Sequence, residues 1–197
     1  MALQLRDRIA KDGRNLGRGI LKVDGFINHM IDPVLMRSCA GELADRFKGM
    51  GVTKILTVET SGVAPSLMTG LELGCPVIYC RSGKRPITMD HFLTTESVSH
   101  TKGGSVSLFV SQEYLKAEDN VLLIDDFLAS GTTIRALMNL IEQAGAKLVG
   151  IGALVEKSFE GGRELLSKLT EVPIVSLAVI DGMEGDAITF APLPATQ

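Results

Sequence analysis

The sequence predicts one α/β domain with a mainly parallel central sheet flanked by helices. Three observations carry that prediction. Apolar runs without alternation, such as residues 121–124, have the pattern of strands buried on both faces. These runs alternate along the chain with stripes of helical period, the order of βαβ units with right-handed crossovers. One unit closes its strand on two adjacent carboxylates, Asp125 and Asp126, and then places Ser130, Gly131, Thr132 and Thr133 at the start of a helix. Ligands of open α/β sheets sit at such carboxyl ends of strands. A length of 197 residues suits a single domain with a real core.

The elements follow in order. Residues 3–11 predict a short amphipathic helix, without the apolar core of a signal peptide. Asp32 and Pro33 predict a helix start, with Asp as cap and Pro in the first turn. Leu35, Met36, Cys39, Ala40, Leu43 and Phe47 supply the buried face of that helix, and Gly49 and Gly51 end it. Residues 54–58 read as a strand, 59–64 as a loop, and Pro65 as the start of a helix to about Leu73, stopped by Gly74. Strands are expected at residues 76–80, 121–124, 147–155 and 174–180, and a short helix at 162–169. Ile134, Leu137, Met138 and Ile141 form an i, i+3, i+4, i+7 stripe that Gly145 terminates. The rhythm breaks at residues 82–112, which read as a long β-hairpin with Thr101, Lys102, Gly103 and Gly104 at its tip. Val106, Leu108 and Val110 fall on one face of its second strand, and an excursion of this length suits a lid.

Composition excludes several classes. Net charge is −3 with no basic tract, and Trp is absent, which disfavours nucleic acid as a main partner. No apolar run approaches the roughly 20 residues of a membrane span. Cys39, Cys75 and Cys80 lie in or beside apolar segments, show no zinc spacing, and read as reduced thiols of a cytoplasmic protein. His29 and His91 read as structural or exposed rather than catalytic.

The acidic strand end carries the chemistry. Side chains alternate across a strand, so Asp125 and Asp126 are expected to point to opposite sides. One would accept hydrogen bonds from vicinal hydroxyls, and the other would face the interior or a cation. Gly131 allows close backbone approach to an anion. The N–H groups and positive dipole end of the helix opened by Thr132 and Thr133 favour a phosphate. The loop is not a Walker A sequence, because no Gly-Lys-Ser/Thr follows, and Gly-x-Gly-x-x-Gly is absent after the strand. A second Ser-Gly turn, Glu59-Thr60-Ser61-Gly62, follows its own strand in the same way and can hold a second anion. Arg81, Lys84, Arg85 and Lys102 are cations in the loop and hairpin beyond.

The string from Val121 to Thr133 resembles the 5-phosphoribosyl 1-pyrophosphate (PRPP) motif of the type I phosphoribosyltransferases. That resemblance implies the fold of the family, with a small hood and a flexible β-hairpin lid on a mainly parallel sheet. It implies one domain over residues 1–197, with the hood from about 1–32 plus C-terminal segments and the lid at about 82–112. It assigns Asp125 and Asp126 to the ribose, and Ala129, Ser130, Gly131, Thr132 and Thr133 to the 5′-phosphate. Glu59, Thr60, Ser61 and Gly62 become the pyrophosphate loop, with Arg81, Lys84, Arg85 and Lys102 as candidates for neutralising the leaving pyrophosphate.

Residues 21–33 and the segment Glu156-Lys157-Ser158-Phe159 are similar to the branch of that family acting on xanthine, and the similarity spans essentially the whole chain. It implies a purine-salvage transfer from PRPP to xanthine N9, with Mg²⁺ held mainly through PRPP rather than by protein ligands, and a cytoplasmic homodimer. Leu21 and Asn28 would belong to a purine-covering hood, and Lys157 would contact the base. A lysine ammonium only donates, so it suits a 6-oxo group and rejects a 6-amino group. Phe26 or Phe159 can pack on the purine face. Guanine shares the 6-oxo group and remains an alternative base. A non-catalytic PRPP sensor is a further alternative, although such regulators usually add a DNA-binding domain, and no helix-turn-helix with a basic face is evident.

Overall fold

The structure is a computed structural model, which describes residues 2–84, 90–98 and 104–192. Helix α1 (Ala2–Asp12) leads into a two-stranded antiparallel ribbon, β1 (Arg14–Asn15) and β2 (Leu21–Lys22). Then come α2 (Pro33–Phe47), β3 (Lys54–Val58), α3 (Val63–Leu73), β4 (Val77–Ser82) and the hairpin β5 (Phe92–Val98) and β6 (Ser105–Ser111). The second half holds β7 (Asn120–Leu128), α4 (Thr132–Ala144), β8 (Lys147–Lys157), α5 (Gly162–Ser167), β9 (Ile174–Gly182) and β10 (Thr189–Phe190). The main sheet runs β10-β9-β8-β7-β3-β4-β6-β5. Its five central strands are parallel, and β10, β6 and β5 join antiparallel at the edges.

The helix start at Pro33 is as the sequence predicts. Asp32 Oδ1 accepts from the Val34 and Leu35 amides at 3.1 Å, and Arg8 Nη1 donates to Asp32 Oδ2 at 2.8 Å, tying α1 to that cap. Helix α3 begins two residues before Pro65, because the first-turn amides need no helical partner and a proline is tolerated there.

The sheet separates two cores. Leu122, Ile124, Leu154 and Leu177 pack under α1, α2 and the hood segment, with Phe26, Leu43 and Phe47. Val121, Leu123, Ile151 and Ala153 pack under α4, with Leu137, Leu140, Leu108 and Val110. Leu108 and Val110 are buried as the hairpin pattern required. The hairpin stems do not stand free: β6 pairs with β4 through Arg81–Phe109 and Ser82–Leu108, and Gln143 Nε2 of α4 donates to Thr94 O of β5 at 3.0 Å.

Two strands run further than periodicity predicts. β7 continues to Leu128 and β8 to Lys157, paired through Phe127–Val155 and Leu128–Glu156. The acidic pair, Glu156 and Lys157 therefore lie within strands rather than beyond their ends. Each strand is extended by its neighbour, a tertiary effect that overrides the weak strand propensity of Asp and Glu. No helix among the described residues is long and apolar enough to cross a membrane.

Candidate active site

Four segments meet at the carboxyl ends of β3, β7 and β8: the loop after β3, the acidic pair, the loop after β7, and Lys157. Asp125 is buried and Asp126 half-buried. The expected divergence of their side chains is not what the structure shows. Up to Ile124, alternate residues of β7 serve alternate cores; beyond the acidic pair the order reverses, with Phe127 against the first core and Leu128 in the second. Asp125 Oδ1 accepts from the Asp126 amide at 3.0 Å, and Asp126 Oδ1 from the Phe127 amide at 3.1 Å. Each carboxyl is thus turned toward the amide of the next residue, and the two come within reach of each other.

Burial raises both acids above the ordinary carboxylate range, and for Asp125 the charge of Asp126 adds to the rise. Asp126 is partly relieved by hydrogen bonds from Asp125, from Asn28 and from the Phe127 amide. Both acids are raised, Asp125 well above the usual carboxylate value, and the two titrate as one pair. The bond to Asn28 brings the hood onto the acidic pair.

The loop after β7 is built on backbone. Gly131, at φ +77°, is the N-terminal cap of α4 and brings no side chain to occupy the helix amides. The Ser130 and Thr132 hydroxyls lie 3.2 Å apart. Ala129, Thr132 and Thr133 are half-buried, so the loop opens to solvent on one side.

The loop after β3 is held by side chains. Glu59 Oε1 accepts from the Ser82 amide at 2.7 Å and from Ser82 Oγ at 3.2 Å, and Glu59 Oε2 pairs with Arg81 Nε at 2.7 Å. The Glu59–Thr60 peptide is cis. Thr60 is exposed, Ser61 half-buried and Gly62 buried. A Cβ at Gly62 would fall 2.1 Å from Thr57 Oγ1 and 2.9 Å from Asp125 Oδ1, so this glycine lets the loop touch the acidic pair. Lys84 is exposed, while Arg85 and Lys102 lie outside the described residues.

Lys157 Nζ donates to Gly19 O at 2.7 Å and to Glu160 Oε1 at 3.1 Å, and stands 5.5 Å from the centre of the Phe127 ring. Of the two aromatic rings expected at the base, Phe26 and Phe159, the structure buries the first. Phe26 is 2% exposed, beneath Arg8 in the first core, and offers no free face, whereas half-buried Phe127 lies between the acidic pair and Lys157. Phe159 is half-exposed beside Gly19. Leu21 is buried in the first core, so its side chain supports the hood from below. His29 and His91 are exposed.

Phe127, Thr57 and Gly162 escape a sequence reading. Phe127 passes for a core residue of β7, and Thr57 for one of many β-branched strand residues. The paired glycines 161 and 162 are a visible signal, but nothing local links them to a loop thirty positions earlier. Among the described residues no cluster of three or more His, Cys, Asp or Glu side chains can hold a metal ion.

Comparisons with known proteins agree with this geometry. Residues 36–172 match the model of the phosphoribosyl transferase domain. The chain is 46% identical, over 94% of its length and 96% of the relative's, to xanthine phosphoribosyltransferase of Listeria monocytogenes. It is 50% identical to the protein of the same name from Deinococcus deserti, over 91% of this chain and 93% of that one. Among solved structures, adenine phosphoribosyltransferase of Giardia lamblia complexed with 9-deazaadenine superposes with a TM-score of 0.73 at 22% identity, covering 89% of this chain and 96% of that one.

Proposed function

The chain belongs to the phosphoribosyl transferase family, and from that premise we propose that it transfers the 5-phosphoribosyl group of PRPP to N9 of xanthine, giving xanthosine 5′-monophosphate and pyrophosphate. The observation that carries this reading is the meeting of two glycine-bearing loops, a carboxyl pair and a lysine at the carboxyl ends of three adjacent strands. The xanthine branch is the one its 46–50% identical relatives are named for.

In this reading the amides of residues 129–133, from the loop into the first turn of α4, hold the 5′-phosphate, and Asp126 accepts from a ribose hydroxyl. The loop Glu59, Thr60, Ser61 and Gly62, with Arg81 beside it, receives the pyrophosphate. N9 attacks C1′ as the C1′–O bond breaks, with positive charge building on the sugar. No protein nucleophile is needed. The protein orients the reactants, stabilises the departing charge and excludes water. The purine rests on Phe127, Asn28 reads its edge, and the Lys157 ammonium donates to the 6-oxo group.

The carboxyl pair fits a hard cation that brings most of its own ligands, since Mg²⁺ keeps several waters and uses one or two carboxylates. Magnesium bound to pyrophosphate oxygens would neutralise leaving-group charge. The domain is read as a single unit over residues 1–197, with the hood covering the base and the hairpin beyond β4 closing the site. Leu67 and Leu71, one turn apart on α3, are 60% and 71% exposed, and Tyr79 on β4 is 43% exposed. These apolar side chains support a homodimer, and the three free thiols suit a reducing cytoplasm.

The test is a spectrophotometric assay with PRPP, Mg²⁺ and xanthine, guanine, hypoxanthine or adenine in turn. Nucleotide formation fastest with xanthine is expected. PRPP binding without turnover on any base would recast the protein as a sensor. Replacing Lys157 with Ala is expected to erode the preference among bases while PRPP binding holds; an unchanged preference removes Lys157 from the base site.

A further inference from the structure

We infer that Gly162, held in place by the pairing of part-exposed Arg163 with buried Glu156, is a positioning residue that forms the back wall of the phosphate loop. Gly162 N donates to Ala129 O at 3.0 Å. A Cβ at Gly162 would lie 2.1 Å from Ala129 O, 2.7 Å from Gly131 N and 2.9 Å from the Ser130 carbonyl carbon. All three are backbone atoms of the anion loop, so no rotamer change relieves the contact. The packing is reciprocal: a Cβ at Gly131 would lie 3.1 Å from Gly162 O and 3.2 Å from Gly162 Cα. Two glycine backbones are pressed together, one inside the motif and one thirty residues outside it.

The wall stays put because of Arg163. Its Nε donates to Glu156 Oε1 at 2.8 Å and its Nη2 to Glu156 Oε2 at 2.5 Å, a two-point fork on a carboxylate that is almost fully buried. Arg163 Nη1 donates to Ile174 O at 2.9 Å and Nη2 to Ser176 Oγ at 3.3 Å. One side chain thus fastens the first turn of α5 to both β8 and β9. Leu166, one turn on, is buried in the second core. Moving α5 away from the loop would strand a buried carboxylate, which is strongly unfavourable. The loop amides are therefore fixed before any anion arrives, and binding spends nothing on ordering them. The same segment carries Lys157 at its other end, so one covalent stretch sets both the base contact and the phosphate wall.

This inference rests on the reading of residues 129–133 as the 5′-phosphate site. The experiment compares wild type, Gly162→Ala, Arg163→Ala, Arg163→Lys and Gly41→Ala. Gly41 lies in α2, where an added Cβ meets nothing within 4 Å, and serves as the control. Ribose 5-phosphate affinity is measured by calorimetry, and KM is measured separately for PRPP and for xanthine, alongside thermal melting. Gly162→Ala is expected to weaken ribose 5-phosphate and raise the KM for PRPP about 10-fold or more, since small misplacements of binding groups are costly. The KM for xanthine at saturating PRPP should stay within about twofold. Arg163→Ala should move the same two quantities, and Arg163→Lys should restore part of the loss, because the charge returns without the fork. A loss that follows melting temperature alone, or wild-type ribose 5-phosphate affinity in folded Gly162→Ala, overturns the inference. If Gly162→Ala does not fold, the Arg163→Ala variant decides, and an unchanged KM for PRPP there refutes it. Wild type that ignores ribose 5-phosphate overturns the underlying reading of the loop instead.

Discussion

The two anion loops end neighbouring parallel strands, β7 and β3, yet they are held by opposite means. The loop after β7 is fixed by backbone packed on backbone: Gly131 caps α4 without a side chain, and Gly162 stands behind it. The loop after β3 is fixed by side chains, with Glu59 bonded to Ser82 and paired with Arg81. A loop whose cap brings no side chain and whose shape is set in advance suits a group that stays bound throughout, as a 5′-phosphate would. A loop whose cation already has a carboxylate partner suits a group that must leave: if pyrophosphate binds there as proposed, Glu59 would take Arg81 back on its departure.

The largest expected effect comes from the acidic pair that lies between the loops. Asp125 abuts Gly62 of the second loop, and Asp126 bonds Asn28 of the hood. Asp126→Asn removes the charge that the pair directs at the ribose and is expected to lower kcat by roughly 100- to 1,000-fold, the range for a lost transition-state contact. Asp125→Asn should cost less, since Asp125 is buried against Gly62 whereas Asp126 is half-buried. Steady-state kinetics with folded variants checks both, and wild-type turnover in Asp126→Asn would remove it from the chemistry.

Exchanging the loop glycines separates the two designs. Gly131→Ala forces a Cβ into left-handed backbone, at about 1–2 kcal/mol for a non-glycine residue, and into contact with Gly162. It is expected to act chiefly on the KM for PRPP, by about 10-fold. Gly62 has an ordinary φ of −70°, so its substitution carries no backbone penalty. Its added Cβ meets Thr57 and Asp125 instead, and the loss should appear mainly in kcat. If both variants show the same split between kcat and KM, the contrast between the loops is wrong.

What was legible in the sequence follows the range of each interaction. The strand–acid–loop–helix unit is local, and its periodicities and glycines speak for themselves; β3 and the start of α2 were readable for the same reason. The pairing of β6 onto β4 was not, because edge addition depends on which strand lies beside it in space. The burial of Phe26 and the position of Phe127 under Lys157 were not legible, because periodicity does not distinguish an aromatic ring in a core from one at the rim. The convergence of Asp125 and Asp126 was hidden by the alternation rule itself, which two local carboxylate–amide bonds override.

A smaller effect is expected at Glu59. Its pair with Arg81 is partly exposed, and such pairs contribute about 0–1 kcal/mol to stability. Glu59→Gln should hardly move the melting temperature. It should free Arg81 and tighten product inhibition by pyrophosphate several-fold, with the change shrinking as salt is raised. Unchanged inhibition would show that Arg81 and pyrophosphate do not compete for the same partner.

The smallest effect lies where the loops meet and is read in stability rather than rate. Asp125 is raised well above the ordinary value of 3.8 by burial first and by the charge of Asp126 second. Between that value and its folded one, the folded protein holds a proton that the unfolded chain has released. Stability then falls as pH rises through that window, and it is flat below and above it. Asp32 and Asp119 are lowered by their hydrogen bonds and pull the other way, their stabilisation being lost as pH falls, so the raw profile mixes opposite slopes. The difference between wild type and Asp125→Asn removes those shared terms. Melting of the ligand-free proteins across pH 4–8 should show the variant gaining on wild type as pH rises. A difference that stays level with pH would mean that Asp125 holds no extra proton, and that the acidic pair meets its ligand with two charges instead of one.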